Sequence, residues 1–132
     1  MARGYDANQE HKAALAALGR GLARRARSRC ELCEQGERSL APWEVPPAPA
    51  EPEEDRCLMI CGGCRAGVEG GRVDSDAWRF LEGVVWSELP AVQVTAVRML
   101  RRLAAEGVSW AVDVVDGLYL EGEVQEWADA AT

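Results

Sequence analysis

Apolar residues recur at helical spacing toward both ends of the chain and give way to short strand-like runs in the middle. Leu15, Leu18, Leu22 and Ala26 form one stripe, with Arg20, Arg24 and Arg27 opposite. That spacing predicts a helix over residues 8–29. Asp6, with Gln9 three residues on, has the form of a capping box at its start. Gly19 and Gly21 weaken its middle, each by roughly 1 kcal/mol relative to alanine. His11, the one histidine of the chain, falls early in this helix and reads as a surface residue.

Leu40-Ala-Pro-Trp-Glu-Val45 predicts a short strand, which Pro42 places at a sheet edge because it has no N–H to donate. Arg56–Ile60 predicts a second strand. Residues 46–55, rich in proline and acid, are expected to form an extended, mobile loop between the two. Arg65–Glu69 predicts a short helix or turn ended by Gly70 and Gly71. From Asp74 onward the periodicity is helical. Asp74 or Ser75 would cap a segment carrying Trp78, Phe80, Leu81, Val85 and Trp86. Pro90 suits the first position of a new helix running to Glu106, with Gly107 as its stop. Val92, Ala96, Met99, Leu100 and Leu103 make the buried face of that helix, and Arg98, Arg101 and Arg102 stand on its polar side. Ser109 would cap a short helix through Val115, and a last helix carries Val124 and Trp127. Trp43, Trp78, Trp86, Trp110 and Trp127 are expected to supply much of the core.

The chemistry of the chain lies in its cysteines. Cys30-Glu-Leu-Cys33 and Cys61-Gly-Gly-Cys64 are two Cys-x-x-Cys knuckles, 27 residues apart. Two residues between cysteines let the backbone turn tightly enough to bring both sulfurs to about 2.3 Å from one metal. The pair of knuckles points to one structural zinc held by Cys30, Cys33, Cys61 and Cys64. A disulfide framework would require an oxidising compartment, and the N-terminus has no signal-peptide pattern. A redox dithiol would require a βαβ setting, which neither knuckle has. Four thiolates also close a tetrahedral shell, whereas a catalytic zinc keeps a place for water. The fifth cysteine, Cys57, lies four residues before Cys61, roughly 13 Å along an extended strand. It is therefore expected to be a buried free thiol.

These elements give an α+β, mostly α chain. Residues 1–29 are the N-terminal helix, residues 30–72 the tetra-Cys module with its short β-hairpin, and residues 73–132 a bundle of three or four short helices packed beside it. Within the module, knuckle, hairpin, then a second knuckle opening a helix is the treble-clef order. A zinc ribbon would place the second knuckle in another hairpin.

Composition refines this picture. The chain of 132 residues has a formal net charge of -7, which disfavours general affinity for nucleic acid. Charge is unevenly spread: residues 1–29 carry seven bases and two acids, and residues 103–132 carry seven acids and no base. No apolar run approaches the roughly 20 residues a membrane span needs, so no membrane partner and a cytoplasmic location are expected.

Several separated motifs carry a resemblance. Cys30-Glu-Leu-Cys33, Trp43-Glu-Val-Pro-Pro47 and Ile60-Cys61-x-x-Cys64 are followed by Trp86-Ser-Glu-Leu-Pro-Ala-Val-Gln-Val94. Arg98-Met-Leu-Arg-Arg-Leu103 and Leu118-Tyr-Leu120, before a final Trp-containing helix, complete the set. In that order, over residues 20–130, they resemble the N-terminal module of the PhnA proteins of proteobacteria. The resemblance implies a zinc-binding module with helices after it, and an association with alkylphosphonate-utilisation genes that does not establish a reaction. Longer members of that family carry a C-terminal β-barrel module with no counterpart here. A more distant resemblance is to HNH nucleases, which need histidines where this chain has Trp43-Glu44-Val45.

Function is accordingly expected to be that of a non-enzymatic, zinc-stabilised binding or adaptor protein with a protein partner. Trp43 and Glu44 on an exposed strand, and Arg98, Arg101 and Arg102, are the candidate contacts. The alternatives are an enzyme or accessory protein of phosphonate metabolism, with arginines meeting phosphonate dianions, a degenerate HNH-like nucleic-acid-binding protein, and nucleic-acid binding through residues 20–29.

Overall fold

The computed structural model describes residues 2–130, with side chains from Ala7 onward. The N-terminal helical segment is two helices, α1 (Ala2–Ala17) and α2 (Gly19–Ala26), broken at Leu18. The predicted start is therefore corrected: α1 begins at Ala2, and Asp6 lies inside it rather than capping it. The break comes beside Gly19, where helix propensity is lowest.

Two strands follow, β1 (Leu40–Glu44) and β2 (Cys57–Cys61), paired antiparallel from Leu40 opposite Cys61 to Glu44 opposite Cys57. Every residue of β2 is buried. The strand lies between two apolar layers, which is why Cys-Leu-Met-Ile-Cys reads as a continuous apolar run rather than an alternation. Cys57 and Met59 face Leu22, Leu15, Leu18 and Ala26 of the N-terminal helices. Leu58 and Ile60 face the main core. The loop between the strands is tied at its start, because the Pro46 carbonyl accepts from Arg98 and from Trp127 Nε1. A 3-10 turn at Glu54–Arg56 brings it back into β2.

Helix α3 (Gly62–Val68) opens directly from β2. Knuckle, hairpin and helix thus succeed one another in treble-clef order, not in the order of a zinc ribbon. Gly67 on α3 is buried, and a Cβ there would collide with the Trp78 ring, so the absence of a side chain lets Trp78 pack against the helix. The helix expected from Asp74 is mostly turn: residues 75–80 are non-helical and only α4 (Leu81–Val84) is a helix. Asp74 does receive the Asp76 N–H at 3.0 Å, closing an Asx turn instead of capping a helix.

The longest helix of the C-terminal half is α5 (Pro90–Ala105), with Pro90 at its first turn and Gly107 beyond its end at φ +88°. Its predicted face of Val92, Ala96, Met99, Leu100 and Leu103 is buried, and so are Val94, Thr95 and Val97. The apolar band is broader than predicted because α5 is covered on several sides. Helices α6 (Ser109–Asp116) and α7 (Gly122–Asp129), with α4 and the hairpin, surround it. Ser109 is the first residue of α6, and Val108 holds the cap position without a side-chain bond. Trp78 is buried and Trp43, Trp110 and Trp127 are half-buried against the core, but Trp86 is 55% exposed. The chain is α+β and mostly α, with a small two-stranded sheet.

Candidate metal centre

The first knuckle forms where α2 has ended and the chain reverses. Arg27 and Ser28 both have left-handed backbones, at φ 54° and 63°. Within the knuckle, Glu34 N–H returns to the Cys30 carbonyl at 2.8 Å, and Cys30 N–H reaches the Gln35 carbonyl at 3.0 Å. Glu34 is itself left-handed, at φ 64°. The turn is held from outside by Glu31. Its N–H donates to the Met59 carbonyl at 2.9 Å, and its Oε1 accepts the Met59 N–H at 2.8 Å. The knuckle is thereby fixed alongside β2.

The second knuckle is fixed by a change of structure. Cys61 is the last residue of β2, and Cys64 lies in the first turn of α3. The two knuckles meet across the strand end, where Cys61 N–H points at Cys30 Sγ at 3.4 Å. The four sulfurs of Cys30, Cys33, Cys61 and Cys64 all lie within 4.8 Å of one another. Cys33 Sγ and Cys61 Sγ are 3.9 Å apart. Tetrahedral metal–sulfur bonds of about 2.3 Å would place sulfurs about 3.8 Å apart, so the donor set fits one metal ion. Among the described residues this is the one group of three or more Cys, His, Asp or Glu side chains so arranged.

The electrostatics of the bare thiols point the same way. The Cys30 thiol is drawn down to about 4, first by hydrogen bonding from Cys64 and then by the backbone N–H groups around it. Cys64 is pushed up, chiefly because it holds the proton of that bond and because it is buried. Burial is likewise the main cause that raises Cys33 to about 11. One thiolate forms readily, and each further one meets a neighbour of like charge in a buried place. A metal cation held by Cys30, Cys33, Cys61 and Cys64 would remove that repulsion and would be bound by all four as thiolates. Cys30, Cys61 and Cys64 are buried, and Cys33 is half-buried beside a cavity of about 420 Å³.

Cys57 is placed as expected. It is fully buried, unpaired and on the opposite side of β2 from the main core. Burial, and then the nearby Glu44 carboxylate, push its thiol up to about 11.

The other candidate residues are placed differently from the expectation. Trp43 and Glu44 are half-buried rather than exposed. Glu44 Oε2 is 2.6 Å from His11 Nε2, so His11 is not a free surface residue but joins α1 to β1. Arg98 turns inward. It donates to the carbonyls of Pro46, Trp127 and Ala128, the last two at 2.6 and 3.3 Å. Arg102 donates to Gly67 and Gly71 at 2.9 and 2.6 Å, tying α5 to the end of α3. Arg101 pairs with Asp129 at 2.7 Å. The three arginines that looked like a free polar face spend their donors inside the chain. Sequence spacing could not show this, because backbone carbonyls carry no residue signature.

No helix of the described residues is long and apolar enough to cross a membrane. Compared with known families, curated proteins and solved structures, the chain matches none.

Proposed function

We propose that this chain is a non-enzymatic binding module, related to the N-terminal module of the PhnA proteins, whose fold is held by one structural zinc ion on Cys30, Cys33, Cys61 and Cys64. The observation that carries the reading is the closed set of four sulfurs within 4.8 Å, three of them buried. Such a set suits a soft, tetrahedral ion and leaves it no position for a water or a substrate. Zinc there would supply folding free energy and no reaction step. The ligands come from the two ends of the first knuckle turn, the end of β2 and the start of α3, so the ion would tie together the parts of a small core.

The work of such a module is done by its surface. The test of the metal is elemental analysis of the chain purified without added metal or chelator. About one zinc per chain is the expected result. A chain that is folded, monodisperse and free of metal, with its thiols titrating freely, overturns the proposal. Incubation of the loaded chain with simple phosphonates, followed by phosphorus NMR, tests the enzymatic alternative, and turnover abolished by one active-site substitution would displace the binding-module reading.

A further inference from the structure

Two arginines of α5 share one cavity. Arg98 and Arg102 lie one helical turn apart, and both are half-buried. With Trp43, Val68, Thr95 and Met99 they line a space of about 180 Å³. Gly70 also lines it and is exposed, and a Cβ there would meet nothing within 4 Å, so the approach past Gly70 is open. No carboxylate lines this cavity. Its neighbours differ. The cavity of about 820 Å³ beside Trp127 carries Arg25 and Arg56 together with five carboxylates. The one beside Trp86 carries Arg25 and Arg29 together with Glu31 and Glu34. Only here is the charge of the wall of one sign.

That charge is balanced only in part by the chain. Arg102 has Glu106 one turn further on, its Nε 3.6 Å from the Glu106 Oε1. Arg98 has no carboxylate at ion-pair distance among the described residues. Its partners are the carbonyls of Pro46, Trp127 and Ala128. Carbonyls accept from its donors but carry no net charge, so one positive charge is left without a counter-charge. The donors are not used up either. A guanidinium has five N–H groups. Arg98 gives three hydrogen bonds, and Arg102 gives two, to Gly67 and Gly71. The remaining wall is mostly apolar, and the Thr95 hydroxyl already donates to the Ala91 carbonyl at 2.8 Å.

We propose that this cavity binds a small organic monocarboxylate, its carboxylate on Arg98 and Arg102 and its apolar body against Trp43, Val68 and Met99. The proposal rests on the binding-module reading and gives the module its ligand. One uncompensated charge calls for a monoanion. A carboxylate matches paired guanidinium N–H groups with its two oxygens. Phosphate, with four oxygens and up to two charges, would turn oxygens toward walls that cannot hydrogen-bond them. Size sets the rest. An apolar cavity of about 150 Å³ holds one benzene ring, so the space here suits a single ring, or a branched chain of that bulk, and excludes a peptide or a nucleotide.

The test uses the full, zinc-loaded chain with benzoate as the probe, read by titration calorimetry and by NMR shifts. One benzoate per chain is expected, moving the amide signals of Val68, Gly70, Thr95 and Met99 and the indole N–H of Trp43. Benzamide keeps the shape and loses the charge, and should bind about 10- to 150-fold more weakly, as loss of charge-assisted hydrogen bonds implies. Acetate keeps the charge and loses the ring, and should also be weaker, by more than about tenfold. Val68→Phe fills the cavity and keeps both arginines, so it should abolish binding with zinc content and circular dichroism unchanged. No benzoate binding at millimolar concentration by a folded, zinc-loaded chain overturns the proposal while leaving the module reading in place. Equal affinity for benzamide, tighter binding of inorganic phosphate, or survival of binding in folded Val68→Phe also overturns it. Should Val68→Phe not fold, the shifts in the unaltered chain decide, and benzoate that moves only signals away from the cavity overturns the proposal. Failure of the module reading would show separately, as a folded chain without metal.

Discussion

Arg25 and Glu31 form a two-pronged ion pair, Nε to Oε2 and Nη2 to Oε1, both at 2.8 Å. Neither group is used up by the other. Arg25 also donates to the carbonyls of Cys57, at 2.7 Å, and Glu54, at 3.2 Å. Glu31 also takes the Met59 N–H. Helix α2, the first knuckle and β2 are therefore joined through a single pair, and the Glu31 side chain is only 5% exposed. Removing the cation leaves a buried carboxylate without its counter-charge, which costs about 3 kcal/mol or more in the interior. Arg25→Ala should lower the unfolding free energy of the zinc-loaded chain by about 3 kcal/mol in a denaturant titration. Exchanging the two residues should not rescue it, because an arginine at position 31 cannot accept the Met59 N–H. Full rescue by the exchanged pair would show that only the charge pairing matters.

The metal should be inseparable from the fold of the module. Cys30→Ser and Cys64→Ser replace buried sulfurs whose partners lie on different elements, and loss of zinc with loss of thermal cooperativity is expected for both. A chelator should have the same effect on the unaltered chain. Zinc retained at about one per chain after Cys64→Ser would mean that the ion is held elsewhere.

Arg98 yields a prediction opposite to the one its position on a polar helix stripe suggests. A surface arginine would be removable at no cost. This one binds the exit of β1 to the end of α7 through three backbone carbonyls. Burial, and then the neighbouring Arg101, lower its pKa, yet a guanidinium stays charged. Arg98→Met should therefore cost about 2–3 kcal/mol, the range for charge-assisted hydrogen bonds left unmade. Arg98→Lys should recover little, since one ammonium group cannot reach three carbonyls in a fork. Calorimetry of the three proteins decides it, and a wild-type midpoint for Arg98→Met would return Arg98 to the surface.

The contrast shows what could be read from residues alone. The knuckles, both strands, Pro90 at a helix start and Gly107 at its end were legible because each depends on a local rule: ligand spacing, apolar runs, a fixed φ, a positive φ. The buried face of α5 was legible through its period. Less legible was anything settled by long-range polar pairing. His11 looks like a surface residue until β1 brings Glu44 to it, 33 residues away in sequence. Residues 75–80 carry apolar side chains at near-helical spacing, yet the Asx turn at Asp74 and the packing of Trp78 on Gly67 set them as turns.

Cys57 should behave as an inert thiol in the native chain. It is fully buried and its pKa lies near 11, so the reactive thiolate is scarce at neutral pH. Alkylation of the zinc-loaded chain at pH 7.5 should leave Cys57 unmodified by mass spectrometry until denaturant is added. Modification of Cys57 in the native chain within minutes would mean that α2 lifts off β2 readily.

The last prediction concerns the bond between His11 and Glu44. The His11 pKa is raised from 6.5, chiefly by its hydrogen bond to the Glu44 side chain and further by that group's charge, against an opposing effect of burial. A histidine whose pKa is higher folded than unfolded adds stability fully below the unfolded value and loses it as pH rises through the folded one. The contact between α1 and β1 is thus expected to be strongest below pH 6.5 and to weaken as pH climbs through the raised value. Glu44→Gln keeps an oxygen for the bond but removes the charge, so His11 should titrate closer to 6.5. Proton NMR of the single imidazole gives its pKa directly, and amide exchange in residues 8–17 gives the docking of α1. Protection of those amides relative to their intrinsic exchange rates should fall above neutral pH in the unaltered chain, and this fall should be absent in His11→Ala. The same pH dependence of protection in both proteins would show that α1 is held by its apolar contact at Leu15 rather than by the histidine.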